Sequence, residues 1–177
     1  MNDIIQNTNN TPTDNHGEKQ EVIKVTIIGA ASSGDDATAS ATMYKVKGDS
    51  SKEWKFLERV LPAPYRNEVA MLTGFVSIID QVSREAREIN PEVKLEVTCV
   101  TFLASILTGF NKNRKTWEAN GFITSRGNRV KHKDAWKSLF LMADLHSVTF
   151  KKPAYESKLM KACTNKARMI LREHEEC

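Results

Sequence analysis

Apolar positions change their spacing several times along this 177-residue chain, and each change marks an element. Residues 21–32, "EVIKVTIIGAAS", are β-branched and largely apolar, the pattern of a strand buried on both faces. "SSGDD" supplies a turn, "ATASATMYKV" alternates as a second strand, and "WKFLERVL" places Trp54, Phe56, Leu57 and Val60 as a third, stopped by "PAPY". From Arg66 to Ile89 the spacing becomes helical through Val69, Leu72, Phe75, Val76, Ile79 and Val82, and Asn90-Pro91 ends it. "VKLEVTCVTFL" then reads as a buried strand. A short helix is expected over Ala104–Phe110, an amphipathic helix over 133–145, a strand at "SVTF", and a last helix with a stripe of Leu159, Met160, Cys163, Ala167 and Ile170. Three antiparallel strands, a helix, a parallel strand, helices, a fifth strand and a C-terminal helix make an α/β domain with a mixed sheet.

Residues 1–20 are rich in Asn, Thr, Asp and Gln and have little to bury, so an acidic flexible tail is expected ahead of a domain over 21–177. The N-terminus lacks the basic start and apolar core of a secretory signal, and no apolar run is long enough to span a bilayer. A soluble, cytoplasmic protein is the expectation. Cys99, Cys163 and Cys177 show no metal-ligand spacing and no disulfide framework.

The net charge of +4 hides a strong asymmetry. Lys112 to Lys137 carries eight Lys and Arg against Glu118 and Asp134, and the last helix adds Lys158, Lys161, Lys166, Arg168 and Arg172. Two basic surfaces in one domain point to phosphate neutralisation with counterion release. The competing reading is a solvated helix-loop-helix whose tryptophans only pack.

"WEANGF" followed by "GNRVKHKDAWKSL", with "YRNEVAML" and "CTNKAR", resembles the ribonuclease H family over Glu21 to Arg172, and the first pair looks like its bacterial-type basic protrusion. The resemblance implies a five-stranded mixed sheet and a protrusion that leans on an RNA–DNA hybrid. It also implies a carboxylate cluster for two Mg²⁺ ions, one activating water and one stabilising the leaving oxygen. At the corresponding positions stand Ile28 before Gly29, Glu68, Val100 and Thr164, and "KKPAYESK" replaces the His loop without a histidine. Glu68 alone matches, and one carboxylate cannot hold a hard octahedral cation.

The expectation is therefore a non-catalytic, RNA-binding protein without a cofactor or metal, gripping RNA or an RNA–DNA hybrid with little sequence preference, as an RNA chaperone or translation-related protein would. Its binding residues would be Lys112, Arg114, Lys115, Arg126, Arg129, Lys131 and Lys133, with Lys161, Lys166 and Arg168 on the last helix and Trp117 or Phe122 for stacking. Glu68 is equally explained by the helix dipole, and His132 by a solvated loop. Asp35 and Asp36 suit a turn, although acids displaced to that place offer a weak metal site. A lost active site in a small chain is also in keeping with a phage origin. Two other classes stay open: a protein-interaction scaffold, and a divergent metal-dependent nuclease.

Overall fold

The computed structural model describes residues 21–49, 53–62, 65–154 and 157–176. The expected N-terminal tail lies outside the described residues, as do parts of the "KGDSSKE" and "PAPY" links and Cys177. The strands are β1 (Val22–Ser33), β2 (Ala37–Val46), β3 (Lys55–Pro62), β4 (Lys94–Val100) and β5 (Ser147–Lys151). The helices are α1 (Asn67–Ile89), α2 (Ala104–Thr108), α3 (Arg114–Ala119), α4 (Lys133–Leu145) and α5 (Lys158–Glu175), with a π-helical turn at Gly109–Asn113 joining α2 to α3.

The sheet order is β3-β2-β1-β4-β5. β2 is antiparallel to both β1 and β3, whereas β1, β4 and β5 run parallel. This is the mixed five-stranded α/β arrangement expected from the sequence, with β4 parallel beside β1 as a helical crossover requires. Alternate side chains divide between two cores. Val25, Ile27, Leu95, Val97 and Cys99 pack with α1, while Ile28, Ala30, Val100 and the small residues Ala37, Ala39 and Ala41 pack with Met160, Cys163, Ala167 and Ile170 of α5.

Two elements differ in detail from the sequence pattern. The alternation of β2 does not separate core from solvent, because Thr38, Ser40 and Thr42 are buried against the α1 side. Their hydroxyls satisfy themselves locally: Thr38 Oγ1 donates to the Tyr65 carbonyl at 2.7 Å and Ser40 Oγ to that of Ala70 at 3.4 Å. Of the three, Thr42 Oγ1 has no partner among the described residues. On α5, Leu159 is exposed and Leu171 takes its place in the buried stripe, since the helix starts at Lys158 and turns Leu159 outward. No helix among the described residues is long and apolar enough to cross a membrane.

Thr42 also marks a tight seat of α1 on the sheet. A Cβ on Gly74 would come within 2.5 Å of Thr42 Oγ1, so only glycine lets the helix lie this close. Gly74→Ala is expected to lower stability by about 1–3 kcal/mol through overpacking, measured by denaturant unfolding.

His146 follows α4 and is buried, with Nδ1 accepting from the Leu95 N–H at 3.3 Å and Nε2 paired with Ser83 Oγ at 2.9 Å. Burial first, then Arg87 and Lys94, push its pKa below the ordinary 6.5. The unfolded chain therefore binds a proton that the folded one resists. The contribution of this neutral imidazole to stability is complete above about pH 6.5 and is lost as pH falls. Thermal melts between pH 7.5 and 5 should show the parent losing more stability than His146→Asn, which has nothing to titrate.

Candidate nucleic-acid interface

α3, the following loop and α4 form a protrusion beside the sheet. α3 ends at Asn120–Gly121, where Gly121 takes a left-handed conformation (φ +71°) and the Phe122 N–H reaches back to the Trp117 carbonyl at 2.7 Å. The loop beyond is a miniature hairpin. Ile123 and Arg129 form a bridge, and the Gly127 N–H closes a turn on the Thr124 carbonyl at 2.9 Å. Gly127 (φ +77°) serves that turn, and neither it nor Gly121 has any atom within 4 Å of the place a Cβ would take. Positive φ, rather than a close neighbour, is what requires glycine at both places.

The exposed cations of this hairpin surround a recess of about 410 Å³. Arg126, Arg129 and Lys131 line it with Trp117, Trp136 and Glu68. Glu68 Oε1 accepts from the Trp136 indole N–H at 3.3 Å, so the retained carboxylate anchors an aromatic ring of the protrusion. Trp117 is half-buried and meets Trp136 edge-on at 5.3 Å, which leaves part of it facing the recess.

Several residues read from the sequence as ligand contacts are taken up within the fold. Phe122 is only 7% exposed and lies over Phe140 at 6.0 Å, with the Lys133 and Lys137 ammonium groups at 5.8 and 5.7 Å from its ring centre. A base cannot reach it. Arg114 pairs with Glu118 and Asp144 and donates to the Phe140 carbonyl at 3.3 Å, tying α3 to α4, and these carboxylates raise its pKa despite its partial burial. Lys166 pairs with Glu58 of β3 at 2.7 Å. Lys112 and Lys115 remain exposed on the outer side of α3 and the turn before it, and Lys161 and Arg168 are exposed on α5.

The positions matched to the acid cluster do not converge. Ile28 and Val100 are register partners in the parallel β1–β4 ladder, but both are buried in the core under α5. A cavity of about 240 Å³ lies just beyond them, lined by Gly29, Ala30 and Ala31 after Ile28 and by Thr101, Phe102 and Leu103 after Val100. Asn67, Met71, Met160 and Thr164 close it. Thr164 therefore faces this cavity while Glu68, one residue along from Asn67, faces the other recess. Ile28 and Val100 do not line the cavity themselves but form its foundation. Asp35 and Asp36 sit in the exposed β1–β2 turn, closed by the Gly34 N–H on the Ala37 carbonyl at 2.9 Å.

A hard dication needs several oxygen ligands at once, and this cavity offers an amide, two hydroxyls and methionine side chains. Thr164 Oγ1 is already donating to the Met160 carbonyl at 2.9 Å, and Thr101 Oγ1 accepts from the Leu103 N–H at 3.2 Å. Among the described residues no three His, Cys, Asp or Glu side chains come together as a metal site. The residues do not fit Mg²⁺. Cys163 beneath them is a buried thiol pushed up to about 11 by its burial and donates to the Ala41 carbonyl at 3.0 Å.

No family model and no curated protein matches the sequence. Solved structures do. The foamy viral protease–reverse transcriptase in complex with dsDNA matches with a TM-score of 0.56 at 15% identity, over 83% of this chain and 92% of that one. The same viral protein with an RNA/DNA hybrid matches at 0.55 and 14%, over 95% of this chain and 22% of that one. The PFV RNase H domain in solution gives 0.54 at 15%, over 85% and 94%. LC9-RNase H1, a type 1 RNase H with the type 2 active-site motif, gives 0.54 at 12%, over 83% and 70%. The fold is ribonuclease H-like. Within this ribonuclease H-like fold, the protrusion and the cavity at the ends of β1 and β4 are separate features on either side of the α1 N-terminus.

One residue in this region was missed in the sequence. Phe102 belongs to "VTCVTFL", read as buried strand, but β4 stops at Val100 and Phe102 stands 61% exposed at the mouth of the cavity. An apolar run continuing past a strand end carries no signal of where the pairing stops.

Arg114→Ala is expected to cost about 1–3 kcal/mol, because it unpairs Asp144 and a main-chain carbonyl at once. Arg126→Ala, Arg129→Ala and Lys131→Ala should each stay within about 0.5 kcal/mol of the parent. Thermal melts of the four variants separate structural from exposed cations.

Proposed function

We propose that the protein is a non-catalytic ribonuclease H-like protein that binds RNA or an RNA–DNA hybrid through its protrusion, as a divergent relative of the bacterial-type enzymes. The observation that carries the reading is the recess where Arg126, Arg129 and Lys131, none of them paired with a described carboxylate, stand beside the open part of Trp117. Unpaired guanidinium and ammonium groups around an aromatic surface suit a nucleotide backbone with a base alongside. Nucleic acid in the complexes of the foamy viral neighbour supports the same class of partner. RNA is favoured over duplex DNA because the resemblance to the ribonuclease H family implies a grip through backbone and 2′-hydroxyl contacts across a wide minor groove. Main-chain recognition of that kind carries little sequence preference and suits an RNA chaperone or a translation-related role.

The chemistry of the cavity supports the non-catalytic reading. With methionines, two threonines and an asparagine around the place where metal-bound water would have to be generated, no group present holds a dication or takes a proton from water. Glu68 is occupied by Trp136 on the other side of the α1 N-terminus.

The test is a fluorescence-anisotropy titration of labelled single-stranded RNA, an RNA–DNA hybrid and duplex DNA at two salt concentrations. The Arg126→Glu, Arg129→Glu, Lys131→Glu triple variant is expected to lose most RNA binding and to flatten the logarithmic salt slope by about 2, near 0.7 for each lost phosphate contact. Glu68→Gln keeps an oxygen for the Trp136 indole and should bind as the parent does. A triple variant with parental affinity refutes the protrusion as the binding surface. Hybrid cleavage in millimolar Mg²⁺ or Mn²⁺ that scales with the purified protein refutes the non-catalytic part.

A further inference from the structure

We propose that Phe102 and the exposed face of α5 form a second nucleic-acid site, specific for an unpaired nucleotide, with the base stacked on the Phe102 ring and flanking phosphates held by Lys161 and Arg168. The inference rests on the nucleic-acid reading above and adds to it a site, a stacking residue and a preference for single strands.

Phe102 is more exposed than any other aromatic side chain among the described residues. It is also rigidly presented. The Thr101 N–H bonds to the Lys151 carbonyl at 3.2 Å, the Leu103 N–H to Thr101 Oγ1 at 3.2 Å, and the Leu103 carbonyl accepts from the Ile106 and Leu107 N–H groups of α2 at 3.1 and 3.2 Å. Leu103 itself packs on the main core. The exposed part of the ring, held by fixed neighbours on both sides, offers a preset aromatic surface for stacking.

The surroundings supply the rest of a nucleotide site. Phe102 stands where two recesses meet, sharing Met160 and Thr164 between them. One is the cavity with Asn67 and Thr101 described above. The other, of about 320 Å³, is lined by Lys161, Asn165 and Arg168. No Asp or Glu lines either recess, and neither Lys161 nor Arg168 is paired with a described carboxylate. Two helical turns, roughly 10 Å, separate these cations along one face of α5. Asn67 offers polar contact for a base edge from the other side, since its Oδ1 already accepts from Ser33 and its Nδ2 has no described partner.

A paired duplex cannot use this site, because its bases are already stacked on one another, whereas a single strand presents free faces. The charge of the walls excludes an acidic-lined or purely apolar function and selects a polyanion carrying planar rings. That is a single-stranded nucleic acid.

The experiment uses the full chain with labelled twelve-nucleotide oligo-U RNA, oligo-T DNA and a blunt hybrid. Phe102→Ala should weaken both single strands about five- to hundredfold at unchanged salt slope and leave hybrid affinity alone, while Phe102→Trp restores binding. Lys161→Glu with Arg168→Glu should instead lower the single-strand salt slope by about 1.4. Because Phe102 is exposed, Phe102→Ala is expected to melt with the parent, which circular dichroism checks. If Phe102→Ala binds single strands as the parent does while the protrusion triple variant weakens, this site is overturned and the proposed function stands. If the parent binds the hybrid but no single strand, the site is likewise overturned. A parent that binds none of the three nucleic acids overturns both.

Discussion

Six aromatic rings, each touching the next, tie the protrusion to the sheet. Trp117 meets Trp136, Trp136 meets Phe140, Phe140 meets Phe110, Phe110 meets Phe150, and Phe150 meets Phe75 edge-on at 5.1 Å. The run starts in α3 and ends in α1, passing through α4, the π-helical turn and β5. Rings in edge and tilted contact fill space that no aliphatic pair fills as completely, and they restrict one another's rotation. The hairpin that carries Arg126 and Arg129 lies between α3 and α4, whose Trp117 and Trp136 belong to this aromatic run.

The other end of that base is the seat of α1. Gly74 against Thr42 and Gly29 against Met71 and Phe75 bring the helix down onto the centre of the sheet. This closeness sets where the helix begins, and its first turn divides the surface. Asn67 opens onto the cavity at the strand ends, and Glu68 onto the recess under the protrusion. A single peptide unit thus separates two surfaces of different chemistry: one ringed by cations, one lined by methionine, threonine and amide groups beside an exposed phenylalanine.

Much of the fold was legible because period and order were clear. The 23-residue α1 with a sharp stop at Asn90-Pro91, two β-branched strands and α4 stand where the pattern places them, whereas the short helix expected over Ala104–Phe110 ends at Thr108 and continues as the π-helical turn and α3. The ligand surface was legible only as charge. Sequence could count Arg114 and Lys166 as cations, but their partners Asp144 and Glu58 lie 30 and 108 residues away, and only folding brings them together. Phe122 looked available because its neighbours are basic; Lys133 and Lys137 are there, but over the ring rather than around an open face. Phe102 was hidden for the opposite reason, in an apolar run whose strand ends two residues earlier.

The pairing of Ile28 with Val100 also governs which side chains these two positions accept. Neighbouring strands run about 4.8 Å apart, so carboxylates at these two places would face each other within the dry layer beneath α5. Each would be desolvated, each would repel the other, and neither would find water or a cation among Met160, Cys163 and Ala30. A first acidic substitution at either position thus carries the folding cost of a buried charge before any partner exists to share a metal. An acidic side chain at either place therefore weakens the fold, whereas a volume-conserving apolar exchange costs less than about 1.5 kcal/mol. The interior packing thus sets which chemistry the surface above it can carry.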